Sequence, residues 1–281
     1  MSEKKQSALS VLKFATIVCL LCSLLVSTAA VSLRGFQKEN ADNEKKLNIL
    51  RAAGLAGAEE HLSTQQINDK FTQIIPLVVD LATGKPVSDK NPLTYDMYNA
   101  ARNENEGHAL SDDPAGIKRI AKEGVAYVVA DGDHISRLIL PIQGYGLWST
   151  MYGFTALSFQ EKHPEITGIT FYQHAETPGL GARITEPEWQ AKWAGIIPYD
   201  DNGAPQVDLV KVRNPSAKNQ VDAIAGATLT SNGVEHLMNF WLGEQGYKPL
   251  VDHIRNGEIS LADLREASQA AIGQNGQKTE Q

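Results

Sequence analysis

The run Asp222-Ala223-Ile224-Ala225-Gly226-Ala227-Thr228-Leu229-Thr230-Ser231-Asn232-Gly233 gathers small residues and hydroxyls ahead of an apolar-periodic segment. Gly226 and Ala227 permit close approach to the backbone, Thr228 offers a hydroxyl, and a following helix would present free N–H groups. Together these make the chemistry of a phosphate seat. Val234, Leu237, Met238, Trp241 and Leu242 recur at the spacing of one buried helical face. Thr230, Ser231 and Asn232 are N-cap residue types, so the spacing predicts a helix starting there, with Thr228 just before its first turn and Gly243 or Gly246 ending it. Residue types alone favour the plainer alternative, a tight entry into a capped helix. Local chemistry does not choose between the two.

Other chemistries find less support. No Gly-x-Ser-x-Gly elbow occurs, and Thr228 has no evident His partner in sequence, which argues against serine-type hydrolysis. The seven histidines, among them His174 beside Glu176, are scattered and form no His-Glu-x-x-His pair, so no metal centre is expected. No Gly-x-Gly-x-x-Gly follows a predicted strand, so a dinucleotide is not expected in the Rossmann manner. The chain carries a formal net charge of −7 and no basic run outside its amino-terminal tail, which excludes nucleic acid as the expected partner.

The elements that must position the motif begin with an uncharged stretch from Phe14 to Leu33, about the 20 residues a helix needs to cross a bilayer. Lys4, Lys5 and Lys13 precede it, while Arg34 and Lys38 mix with Glu39, Asp42 and Glu44 after it. The positive-inside rule then puts residues 1–13 in the cytoplasm and the bulk of the chain outside. A cleaved signal ending near Ser27-Thr28-Ala29-Ala30 is the competing reading; the length of the apolar stretch favours a retained anchor. Both cysteines, Cys19 and Cys22, lie in this anchor, leaving none for disulfides beyond it.

Residues 34–60 read as a juxtamembrane stalk, with Leu47, Leu50 and Ala53 at helical spacing before Gly54. Residues 61–262 read as one globular domain and 263–281 as a polar tail, disordered after about Ala271. Within the domain, Ile74–Asp80 suggests an edge strand because of Pro76. Asp131-Gly132-Asp133 turns a hairpin between Val125–Val129 and Ile135–Ile142. Ile166–Tyr172 and Val207–Val212 are further strands, and Ala115–Glu123 and Trp189–Ala194 short helices. Strands and helices do not alternate regularly, so the fold expected is α+β: a single amino-terminal transmembrane helix, then a mainly antiparallel sheet with packed helices.

Asp222-x-x-Ala225-Gly226-Ala227-Thr228 resembles the flavinylation motif of FMN-binding domains. With Leu229-Thr230-Ser231-Asn232-Gly233-Val234 added, it is similar to the family formed by the C subunit of the Na+-translocating NADH:quinone reductase. Gly144-Tyr145-Gly146-Leu147-Trp148-Ser149 and Glu176-Thr177-Pro178-Gly179-Leu180-Gly181 resemble loops of that family that approach the flavin, and the likeness runs in order from the anchor to about Leu242. Ala225 stands where the family usually carries Ser or Thr.

The resemblance implies covalent FMN, joined by a phosphoester to Thr228 by a flavin transferase that uses FAD and releases AMP. Asp222, Gly226, Ala227, Leu229 and Thr230 would surround the attachment. Lys211 would reach the flavin, where a cation favours negatively charged reduced forms. The Pro178-Gly179 turn and low-profile Gly181 suit a flat ring resting on backbone beside Leu180, with Glu176 and Thr177 in the same loop, and Leu147 and Trp148 would cover a ring face. It further implies an inner-membrane electron carrier between NADH and ubiquinone, coupled to sodium export, with the other subunits of the complex as partners and a periplasmic main domain. The equivalent subunit of the ferredoxin:NAD-type electron transport complex, and a membrane-tethered flavin-binding module without electron transfer, are the alternatives.

Overall fold

The computed structural model describes residues 8–160 and 163–276, which leaves Lys4, Lys5 and the end of the polar tail outside the described residues. The chain divides into two units, Met1–Glu44 and Lys45–Gln281. One helix, α1 (Ala8–Ala52), begins in the first, and its apolar side chains from Leu9 to Phe36 are exposed. Among the described residues it is the one helix long and apolar enough to cross a membrane, with a mean hydropathy of 2.4 in its apolar window.

The second unit takes in the last turns of α1, where Asn48, Ile49, Leu50 and Ala52 are buried. The end of the expected stalk is therefore core, and α1 stops where Gly54 takes a positive φ of 67°. α2 (Thr64–Phe71) opens on a capping box between Ser63 and Gln66. After it come β1 (Ile74–Asp80), β2 (Pro86–Val87), α3 (Met97–Ala100), β3 (Gly107–Ala109), β4 (Arg119–Ala121), β5 (Glu123–Asp131), β6 (His134–Tyr145), β7 (Thr150–Ser158) and β8 (Glu165–Gln173). Two 3₁₀ turns, Gly181–Thr185 and Ala191–Trp193, bracket α4 (Pro187–Gln190); β9 (Asp208–Val210), β10 (Gln220–Asp222), α5 (Thr228–Trp241), α6 (Lys248–Arg255) and α7 (Leu261–Gly276) complete the order.

Among the described residues, six strands form one antiparallel sheet in the order β2-β1-β5-β6-β7-β8. The expected β5–β6 hairpin is present, with Gly132 at φ 59° in its turn. Pro76 is tolerated in β1 because β2 pairs only with Val78 and Val79, leaving the Pro76 side unladdered there; its carbonyl accepts from Ser268 Oγ of α7 at 2.7 Å. α5 packs on β6, and its Trp241 Nε1–H donates to the Gln143 carbonyl at 2.7 Å. Trp193, Trp241, Tyr247 and Phe154 are among the largest fully buried side chains, and burial of Phe154 alone contributes about 1.5–3 kcal/mol.

Three expectations change. Ala115–Glu123 is not a helix: the Asp113 carboxylate accepts the N–H groups of Ile117 and Lys118, Gly116 and Lys118 take positive φ, and the chain enters β4, paired with β3. The segment expected as a polar tail is helical through Gly276, because Leu264, Ser268 and Ala271 give α7 a buried face. Lys211 falls one residue past β9 rather than on it.

Candidate functional site

α5 begins at Thr228, three residues earlier than its polar residue types suggest. Those side chains are occupied elsewhere. Thr230 and Ser231 are almost wholly buried, and Ser231 Oγ donates to the Ala227 carbonyl and accepts from Ile224 N–H at 2.9 Å, tying the motif loop to the first turn. Ala227 stands at the N-cap, and no side chain caps the helix. The first-turn N–H groups of Thr228, Leu229 and Thr230 thus have no side-chain cap beside the exposed Thr228, at the positive end of a 14-residue helix. Gly226, at φ 80°, makes the turn into it; a side chain there would be strained and would crowd Leu180 at 3.2 Å.

Glu176 joins the three motif segments. The residue is 4% exposed. The N–H of Leu147 donates to both carboxylate oxygens at 3.0 and 3.2 Å, that of Trp148 to Oε1 at 3.0 Å, and the Thr230 hydroxyl to Oε2 at 2.5 Å. Burial alone would raise this carboxyl, but the hydrogen bonds from Thr230, Trp148, Leu147 and Ser149 outweigh it and hold the group below the usual glutamate range. Glu176 N–H donates to His174 Nδ1 at 3.1 Å, and burial lowers the His174 pKa, so the ring is an uncharged acceptor. Gly181 has to be glycine here, since a Cβ would lie 2.5 Å from Thr230 Oγ1 and 2.8 Å from Glu176 Oε2.

Around this anchor the apolar side chains point outward. Leu147, Trp148, Leu180 and Leu229 are 41–64% exposed, where burial would be the rule for such residues. Trp148 Nε1–H donates to Thr177 Oγ1 at 3.1 Å, so the indole bridges two of the loops. Gly179, at φ 73°, has open space around its Cα. Uncapped helix donors, an exposed hydroxyl and an apolar rim together fit a phosphate carrying a flat aromatic body.

The structure brings Glu176, Gly181, Leu147, Trp148 and Thr230 into direct contact, with Leu180 against Gly226. Thr177 joins through Trp148. Asp222 lies at the end of β10, paired with Lys192 at 2.9 Å, while its carbonyl accepts from Trp189 Nε1. Lys211 is exposed; the parallel register Val210–Asp222 carries it to the end of the ribbon from which the motif loop departs. Ser149, given no role by sequence, accepts from Ala175 N–H at 2.7 Å and fixes the approach to Glu176. Its only signal was its place in the Gly144–Ser149 run.

Residues 146–243 match the FMN-binding domain family. The chain is similar to the C subunit of the Na(+)-translocating NADH-quinone reductase of Vibrio vulnificus, 42% identical over 86% of this chain and 93% of that one. It is similar also to the protein of that name from Pseudomonas aeruginosa, 40% identical over 90% of this chain and 98% of that one. Among solved structures it resembles Shewanella oneidensis NqrC, with a TM-score of 0.69 at 32% identity, covering 77% of this chain and 99% of that one. The corresponding protein from Parabacteroides distasonis gives 0.60 at 26% identity over 78% and 96%. On identity sustained along nearly the whole of these relatives, the chain belongs to the NqrC family, the C subunit of the Na+-translocating NADH-quinone reductase.

Proposed function

We propose that this chain carries FMN through a phosphoester to Thr228 Oγ and relays electrons between NADH and ubiquinone within a sodium-exporting complex. The observation that carries this reading is the exposed Thr228 at the first, uncapped turn of α5, rimmed by outward-facing Leu147, Trp148, Leu180 and Leu229. Attachment requires a separate flavin transferase: the Thr228 oxygen displaces AMP from FAD, forming one P–O bond, breaking the pyrophosphate bond and releasing the hydroxyl proton. The first-turn N–H groups would receive the phosphate oxygens, and Gly226 and Ala227 would let them approach. The isoalloxazine supplies the redox chemistry; the chain's residues supply position, apolar cover and the nearby Lys211 charge. Asp222, held by Lys192, orients the loop.

Residues 14–33 would cross the inner membrane with the amino terminus cytoplasmic and the flavin domain periplasmic, as the Lys4, Lys5 and Lys13 bias supports. The other subunits of the complex provide electron donor and acceptor. The 40–42% identity to sodium-pump subunits favours this complex over the ferredoxin:NAD-type relative.

The test is peptide mass spectrometry of the Thr228 fragment from the full chain coexpressed with a flavin transferase. An FMN adduct on Thr228 is expected, kept in Thr228→Ser and absent in Thr228→Val, which retains volume but loses the acceptor. A bare hydroxyl throughout, or an adduct on the Val variant, refutes the assignment.

A further inference from the structure

Behind the tip that carries Leu147 and Trp148, Gln143 pairs with Tyr152 and Tyr145 with Thr150 across β6 and β7. These four residues share one face of the sheet, and they floor a cavity of about 350 Å³. Tyr98 and Arg102, from α3 and the turn after it, and Lys118 and Arg119, at the entry to β4, form its walls. The volume lies in the range of small-molecule sites.

Three observations point to an anionic occupant. Gln143 is only 7% exposed, yet its carboxamide has no hydrogen-bond partner among the described residues and is not sealed from the cavity, so a buried polar group is aimed at the space. The lining includes Arg102, Lys118 and Arg119 and no carboxylate, in a chain whose net charge is −7. Arg119 is spent on the carbonyls of Ala101 and Gly107, at 2.7 and 3.2 Å, but the side chains of Arg102 and Lys118 make no ion pair or hydrogen bond among the described residues. Lys118 is moreover held at φ 66°, where a non-glycine residue is uncommon, by the Asp113 carboxylate on its N–H at 2.7 Å. The fold thus accepts backbone strain that a glycine would relieve, and keeps an ammonium at the rim.

We propose that this cavity binds a small planar organic anion of the aromatic carboxylate class, at a site separate from the Thr228 seat. The carboxylate meets Arg102 and Lys118, and the ring packs on the edge-to-face pair of Tyr98 and Tyr152, whose centroids are 5.1 Å apart at 74°. Gln143 hydrogen-bonds a polar substituent at the inner end.

The probe is 4-hydroxybenzoate, titrated calorimetrically into the full chain in detergent, with 4-hydroxybenzamide as neutral counterpart and inorganic phosphate as bare anion. Saturable one-to-one binding is expected, at least about tenfold tighter than either control. It should weaken about tenfold in Arg102→Ala, in Gln143→Leu and in Lys118→Gly, the last chosen because glycine accepts the backbone conformation. Arg265→Ala, an exposed cation on α7 away from the cavity, and Thr228→Val should bind as the native chain does, separating this site from flavin attachment. Absence of saturable binding, equal binding of the amide or of phosphate, or indifference to Arg102 and Lys118 overturns the proposal.

Discussion

Replacing Glu176 by alanine leaves the N–H groups of Leu147 and Trp148 and the Thr230 hydroxyl without the carboxylate that accepts all three. An unsatisfied buried donor costs about 1–3 kcal/mol. Because the hairpin tip is partly open to water, the lower half of that range, about 1–2 kcal/mol, applies to each of its two amides, and with the Thr230 hydroxyl able to rotate to a carbonyl of its own helix the whole change comes to about 2–4 kcal/mol. In a globular unit of more than 200 residues, that lowers Tm by roughly 5–15 °C. Glutamine keeps one acceptor oxygen and puts an NH₂ where a donor already points, while the Thr230 hydroxyl can rotate to accept, so Glu176→Gln should lose about half as much.

The acid limb carries the sign. Glu176 is depressed below its usual 4.5, so its contribution is complete above that value and is lost as pH falls through the lowered folded value. Thermal melts of the full chain in detergent from pH 7 downward test this, with Thr230→Val completing a double-mutant cycle whose coupling should reach about 1 kcal/mol. If Glu176→Gln melts with the native protein, or keeps the whole of its acid-limb slope, Glu176 does not hold the loops together.

Other perturbations separate packing from flavin attachment. Gly181→Ala drives a methyl onto Thr230 and Glu176 and should cost about 1–3 kcal/mol, read as a lower denaturation midpoint; an unchanged midpoint would mean the loop yields freely. His174 is kept neutral, its pKa lowered from 6.5, so stability should decline as pH falls below 6.5 toward the depressed value; in His174→Asn that segment of the pH profile should be flat. Trp148→Ala should leave Tm within about 1 °C, since Trp148 is 64% exposed, while leaving the attached flavin more accessible to an added quencher such as iodide; a large Tm drop would instead make the residue structural.

Much of the architecture was legible because it rests on local signals. The β5–β6 hairpin is announced by Gly132 between two β-rich runs, and the long apolar helix by an uncharged stretch. The Ala115–Glu123 segment was not, since its composition suits a short helix and only the Asp113 carboxylate, four and five residues before the amides it accepts, holds the chain out of one. The helical end of the chain escaped for a related reason: Ala271 and Leu264 are weak apolar signals in polar surroundings, and their burial depends on β1, nearly 200 residues earlier.

The site divides the same way. Thr228, Gly226 and the two glycine-bearing loops can be read from short runs, but what makes them one site is Glu176, whose partners lie 28, 29 and 54 residues away. In sequence it is one acid at the edge of a turn. The displaced start of α5 follows from the same fact. Thr230 and Ser231 look like caps, yet one hydroxyl goes to Glu176 and the other to Ala227, so neither is left to cap the helix. The long-range contact that hides the helix start from a sequence reading therefore also leaves its first-turn donors open, which is what a phosphate on Thr228 requires.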